Sequence, residues 1–185
     1  MSSELVIARR RGFMIRSALP RDVRQIATIT EPYIARNILV DKQLIAYFED
    51  VQEFIVAVDE ETGEVVACGA LHVLWDDIAE VRTLAVSSDY VGKGLGSLIL
   101  RALIDRARVM ELARIFCLTF EVDFFGRHGF KELEGMAVGV DVYAQMLETH
   151  DDGVREFLDL ASVKPNTLGN TRMILELADH PELGL

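Results

Sequence analysis

The sequence predicts an α/β domain: a mixed β-sheet, with antiparallel and parallel pairs, flanked by helices. Three observations predict it. Apolar runs of strand length at residues 54–58, 65–75 and 78–86 follow one another across short polar turns, the pattern of an antiparallel meander. The last run enters a turn holding Gly92, Gly94 and Gly96, and from Leu95 the apolar positions Leu98, Ile99, Ala102 and Leu103 fall at the spacing of one helical face. A further apolar run, RIFCLT at Arg114–Thr119, follows that helix, and a strand-turn-helix-strand order places it parallel to the run at 78–86.

Taken in order, Arg9, Arg10 and Arg11 read as a solvated N-terminal arm before a first strand at 13–17. Pro20 suits a first helical turn, and Val23, Ile26, Ala27, Thr30 and Ile34 continue a surface helix to about Ala35. Asp41 is the expected N-cap of a short helix through Phe48, and the segment between the two helices is a candidate substrate lip. Glu60 to Glu64, with Gly63, form the turn of a hairpin, and Asp76 and Asp77 form the next turn. Residues 124–130, FFGRHGF, turn into a strand at Lys131. Val142, Met146 and Leu147, then Val154, Phe157, Leu158 and Ala161, suggest two short helices, and residues 173–177 a final strand.

The chain has 185 residues, half of them hydrophobic, which suits one domain over residues 1–185, with an ordered core at 13–177 and flexible ends at 1–12 and 178–185. Its apolar stretches are strand-sized and interrupted by charge, and the start lacks a signal-peptide core, so a cytoplasmic protein without a membrane span is expected. A formal net charge of −11 argues against a nucleic-acid surface but allows a compact patch for an anionic cofactor. Cys68 and Cys117 lack neighbours at ligand spacing and read as buried small hydrophobes; no metal site is expected.

The glycine turn strips side chains from the chain where a helix begins, so that backbone N–H groups and the positive end of the helix dipole converge, a pairing suited to phosphate. A P-loop needs four residues between its first glycine and a Gly-Lys-Ser/Thr, and a dinucleotide site needs a wider third spacing after a βαβ start. Neither fits Gly92, Gly94 and Gly96. The arrangement instead resembles the GNAT superfamily of acyl-CoA N-acyltransferases, whose signature is Gln/Arg-x-x-Gly-x-Gly/Ala between a strand and a helix. Here that register reads Val91, Gly92, Lys93, Gly94, Leu95 and Gly96, with Val91 departing from the usual Gln/Arg, and the resemblance is supported by HGF at residues 128–130.

The resemblance implies a GNAT fold, in which a central mixed sheet splays at a bulge and admits the pantetheine arm of acetyl-CoA, the co-substrate. It implies that Leu84, Ala85 and Val86 hydrogen-bond that arm, that Val91 to Gly96 hold the pyrophosphate, and that Phe124, Phe125 and Arg127 lie near the cofactor. Transfer to an amine needs a base beside the thioester carbonyl. With a two-residue strand period Glu80, Arg82 and Leu84 share a face, and Glu80 occupies the position at which GNAT enzymes often carry a glutamate; its alternative role is a strand-edge ion pair with Arg82. The tyrosine that commonly reprotonates the thiolate is replaced by Phe125, which leaves Thr119, His72, His128 or solvent.

Across nearly the whole chain, runs such as ILVDK, CGALHVLW, LTFEVDFFGRHGF and EFLDLASVKPNTLGNTRM are similar to the short, stand-alone N-acetylglutamate synthases of actinobacteria. That resemblance implies L-glutamate or L-glutamine as acceptor at the start of arginine biosynthesis, a homodimer, and no kinase domain with its arginine-inhibition site. A dicarboxylate acceptor needs cationic or multi-donor groups, for which Lys42, Arg82, Lys164, Asn170 and Arg172 are the available set. Two readings stand beside this one: a GNAT enzyme for another small amine or a protein N-terminus, and a non-catalytic acyl-CoA sensor favoured by Val91 and Phe125.

Overall fold

A computed structural model describes residues 6–148 and 169–179, which fall into two compact units: 6–72 with 81–111, and 73–80 with 112–148 and 169–179. Lys164 and the second of the two short helices expected after Gly135 lie outside the described residues.

In the first unit, strands β1 (Val6–Arg10), β2 (Phe13–Ser17) and β3 (Phe54–Asp59), with β4 (Val65–Val73) up to His72 and β5 (Ile78–Val86) from Val81 on, are neighbours in that order. The β1–β2, β2–β3 and β3–β4 pairs are antiparallel. β1 corrects the expectation of a solvated arm: its register sets Arg10 opposite Phe13 and Arg9 opposite Met14. The reversal is made by Arg11 at φ +52° and Gly12 at φ +83°, the two left-handed residues that a tight hairpin turn requires.

Two layers of side chains flank this sheet. Helix α1 (Val23–Ala35) sets Val23, Ile26 and Ile29 against Phe54, Val56, Val58 and Cys68 on one face. A buried bidentate pair, Arg16 to Asp22 at 2.6 and 3.0 Å, ties β2 to the start of that helix, and Asp22 also accepts from the Leu19 amide at 2.7 Å. Helix α2 (Leu44–Glu49) starts two residues later than expected, with Gln43 rather than Asp41 at its N-cap. Its Tyr47 packs on Phe54, and the Tyr47 hydroxyl meets the Thr30 hydroxyl at 2.9 Å.

Helix α3 (Leu95–Val109) buries Leu95, Ile99, Leu100, Ala102, Leu103, Ile104 and Ala107, each contributing about 1–3 kcal/mol of apolar burial. It sits directly on β4 because Gly69 leaves room: a Cβ there would stand 2.7 Å from Ile99 Cγ2 and 3.0 Å from Leu103 Cδ1. Arg106, half-buried on this helix, donates to the Glu53 carbonyl and the Ser17 hydroxyl, both at 2.9 Å.

In the second unit, the first residues of β5 are followed in the sheet by β6 (Arg114–Thr119), β8 (Thr171–Glu176) and β7 (Lys131–Glu132), with both parallel and antiparallel pairs. The β5–β6 pair is parallel, as the sequence predicts, and β8 is antiparallel to both its neighbours. Residues 122–127 form a helix, α4 (Val122–Arg127), where only a turn is expected from the glycine there. Helix α5 (Val140–Met146) packs Val142, Tyr143 and Met146 with Phe116, Leu118 and Ile174. Arg114 bridges Asp77 at 2.8 Å and the Ala137 carbonyl at 2.6 Å. The chain from Leu177 to Asp179 makes one further helical turn.

Candidate active site

β5 is not a regular strand. Thr83 stands at φ +53°, a conformation costly for a β-branched residue, and it interrupts the alternation of the strand. Glu80 and Arg82, before it, are buried, and each is engaged with neighbours. The left-handed Thr83 lies between Arg82 and Leu84, on the stretch where the two-residue period would set Leu84 beside Glu80 and Arg82. Leu84 Cδ1 lies beside Gly69 on the α3 side, while Ala85 enters the opposite cluster with Val23, Ile26 and Phe54.

Cys68 helps hold this kink. Its thiol donates to the Thr83 carbonyl at 3.6 Å. The cysteine is thus more than the inert filler the sequence suggests. Burial pushes its thiol up to about 12, and burial followed by the nearby Glu80 carboxylate pushes the Cys117 thiol well above its ordinary value. Neither thiol is expected to react with an aromatic disulfide reagent at pH 8 while the protein is folded; labelling within minutes would contradict this. Because folding raises these values, the stability involved is complete below about pH 9 and fades as pH climbs toward the folded-state values.

The parallel register of β5 with β6 sets Ile78–Glu80 against Arg114–Phe116. At the end of β5, Val86 has both backbone groups engaged by one side chain: the Tyr33 hydroxyl donates to its carbonyl at 2.8 Å and accepts from its N–H at 3.2 Å. The Ser87 amide turns the other way, to the Val66 carbonyl of β4. Tyr33 therefore sits on the edge of β5 that faces away from β4, where the resemblance puts a ligand's arm. Nothing local in the sequence points to it, since its partner is 53 residues away. Phenylalanine at position 33 is expected to speed hydrogen exchange of the Val86 amide about tenfold, the loss of a typical net hydrogen bond; an unchanged rate would remove Tyr33 from this role.

The glycine turn matches its expected form. Gly92 at φ +85° and Gly94 at φ +80° are both left-handed, and Gly94 is the N-cap of α3. A Cβ on either would meet nothing within 4 Å, so the backbone borders open space where the first amides of the helix lack intrahelical partners. Those amides and the helix dipole suit a phosphate group. Leu95 contributes only backbone, its side chain being buried, and Val91 is exposed. Lys93 sends its amide to the Tyr90 carbonyl at 3.4 Å and sets its ammonium 4.3 Å from the Tyr90 ring centre.

The remaining predicted residues are distributed as follows. Lys42 pairs with Asp50 at 3.3 Å. Arg172, opposite Leu118 in the β6–β8 register, donates to the Gly135 carbonyl at 2.9 Å. Asn170 is engaged with neighbours. Phe125 is buried edge-on between Phe124 and Phe130, each 5.2 Å away, so it serves as core. Phe124 also packs on His128, and Arg127 lies exposed in the last turn of α4. The candidate acids make local contacts: His72 Nδ1 bonds Glu53 at 2.7 Å, His128 Nδ1 donates to the Phe124 carbonyl at 2.8 Å, and the Thr119 hydroxyl accepts from the Glu121 amide at 2.8 Å. Among the described residues no cluster of three or more His, Cys, Asp or Glu could hold a metal, and no helix is long and apolar enough to cross a membrane.

Residues 21–130 match the acetyltransferase (GNAT) family. The chain is 48% identical over 165 residues to an amino-acid acetyltransferase of Mycobacterium tuberculosis, which covers 89% of this chain and 94% of that one. A crystal structure of a Mycobacterium tuberculosis protein in complex with CoA and a second ligand aligns with a TM-score of 0.81 at 48% identity, over 88% of this chain and 98% of the other. An N-acetylglutamate synthase from Neisseria gonorrhoeae, complexed with coenzyme A and N-acetyl-glutamate, aligns with a TM-score of 0.71 over 92% of this chain and 36% of its own; at 22% identity that likeness is one of fold.

Proposed function

Because the chain belongs to the acetyltransferase (GNAT) family, we propose that it moves the acetyl group of acetyl-CoA to the α-amino group of L-glutamate, with L-glutamine the second acceptor, at the start of arginine biosynthesis. The observation that carries the proposal is the kinked strand leading into a left-handed glycine turn at a helix N-terminus, in a chain similar along nearly its whole length to an amino-acid acetyltransferase. The open space beside Gly92 and Gly94 fits a pyrophosphate. Acetyl-CoA supplies an activated acetyl group as a thioester.

The chain's own residues do the rest. The amides of Gly92 and Gly94 to Gly96 bind and orient the pyrophosphate, and the backbone of Leu84 to Val86 takes the pantetheine arm once Tyr33 yields its hold on Val86. Glu80, a buried carboxylate, accepts the proton that the acceptor's ammonium must lose before its nitrogen attacks. Phe125 is core, so the departing thiolate takes its proton from solvent, which its low basicity tolerates. Arg82, Arg172, Asn170 and Lys164 are the proposed contacts of the acceptor's carboxylates; Lys42 has its charge committed to Asp50 and plays a lesser part. Similarity to the short synthases also underlies the proposal of a cytoplasmic homodimer.

Coenzyme A release measured with saturating acetyl-CoA and each common amino acid tests this. The expected result is the highest kcat/KM for glutamate or glutamine. Turnover confined to other amines favours a different acceptor, and coenzyme A binding without turnover favours a sensor.

A further inference from the structure

The basic run at the N-terminus does not end in solvent. The β1–β2 hairpin folds Arg9, Arg10 and Arg11 against a cavity of about 600 Å³ whose other wall carries Lys93, Leu98 and Arg101 from the glycine turn and α3. The hairpin is tied to that turn by aromatic contacts: Phe13 meets Tyr90 edge-on at 6.0 Å, Tyr90 donates to Asp59 at 2.9 Å, and the Lys93 ammonium rests on the Tyr90 ring. Five cationic side chains thus border one cavity in a chain whose formal net charge is −11. Arg9 is partly neutralised by Glu60, whereas among the described residues no acid pairs with Arg10, Arg11 or Arg101. Gathering unneutralised guanidinium groups costs self-repulsion, which a polyanion in the cavity would relieve.

The cavity includes Gly94, the N-cap of α3, so it continues directly from the phosphate cradle. A pyrophosphate on the cradle leads, in coenzyme A, to an adenosine bearing a 3′-phosphate. Leu98 offers an apolar wall, and guanidinium planes suit both a purine face and bidentate phosphate contacts. Resting on the reading that acetyl-CoA is the co-substrate, we infer that this cavity receives the 3′-phosphoadenosine end of coenzyme A, with Arg10 and Arg11 of the hairpin binding the 3′-phosphate and Arg101 closing the opposite wall.

The test is calorimetric titration of the full chain with coenzyme A, dephospho-coenzyme A and adenosine 3′,5′-bisphosphate, at two salt concentrations. The wild-type protein is expected to bind coenzyme A about tenfold or more tightly than dephospho-coenzyme A, with the gap shrinking in high salt. The double variant Arg10→Gln, Arg11→Gln is expected to lose that preference and leave dephospho-coenzyme A affinity unchanged, while Arg10→Lys, Arg11→Lys keeps part of it. Equal affinity for the two cofactors in the wild-type protein, or an undiminished preference in the Gln double variant, overturns the inference and leaves the acetyl-CoA reading intact. Failure of the wild-type protein to bind either cofactor removes that reading and the inference with it. Both residues are exposed on a hairpin, and an unchanged melting temperature shows that the fold is kept.

Discussion

Valine at position 94 is expected to weaken acetyl-CoA binding by about 100-fold or more, enough to abolish a calorimetric signal at ordinary concentrations. Two effects combine. Gly94 holds φ +80°, where an L-residue with a branched Cβ is strained by about 1–2 kcal/mol. The added side chain also enters the open space that the first amides of α3 border, because nothing in the protein stands within 4 Å of that Cβ. Strain alone would lower stability without touching binding, so a matched control is needed. Gly63, in the β3–β4 turn, has φ +74° and equally open surroundings. Valine at 63 should therefore cost comparable stability and leave cofactor affinity unchanged. Retained affinity in the Gly94 variant would remove the turn from the phosphate site.

The second large effect is expected at Glu80. Exchange for glutamine keeps the shape and removes the basic oxygen, and kcat should fall about 10²- to 10³-fold, the usual range for a lost general base. Acetyl-CoA affinity should change little, and the acid limb of the kcat/KM profile should flatten, since that limb reports ionisation of the free enzyme's base. Glu80 is buried and engaged with neighbours, so a structural role predicts another outcome: a drop in melting temperature with the pH profile intact. That pattern would exclude Glu80 as the base.

How much of this was legible beforehand depends on where each signal lies. β5 and β6 are found at their expected bounds because each is an apolar run closed by polar residues, and the turn that opens α3 was legible because glycines cluster between a strand and a helix. β1 was hidden by its composition: three successive arginines look like a solvated arm, although Gly12 beside Arg11 carried the turn signal. α4 was masked by Gly126, which a helix tolerates when its neighbours pack, as Phe125 does.

The kink at Thr83 could not be read from the residue itself, since a β-branched side chain favours a regular strand. Tertiary contacts override that preference, Cys68 among them, and the strained residue sits where a bulge is useful. Tyr33 and the basic cavity depend on chain reversals that bring distant residues together, and periodicity carries no trace of such meetings.

The most direct test of the central claim is mass spectrometry of the products formed from acetyl-CoA and an equimolar mixture of the twenty amino acids. N-acetylglutamate or N-acetylglutamine is expected to dominate, and the Glu80→Gln protein is expected to make far less of it in the same time. Acetylation of a different amino acid, or no acetylated amino acid at all, would contradict the claim.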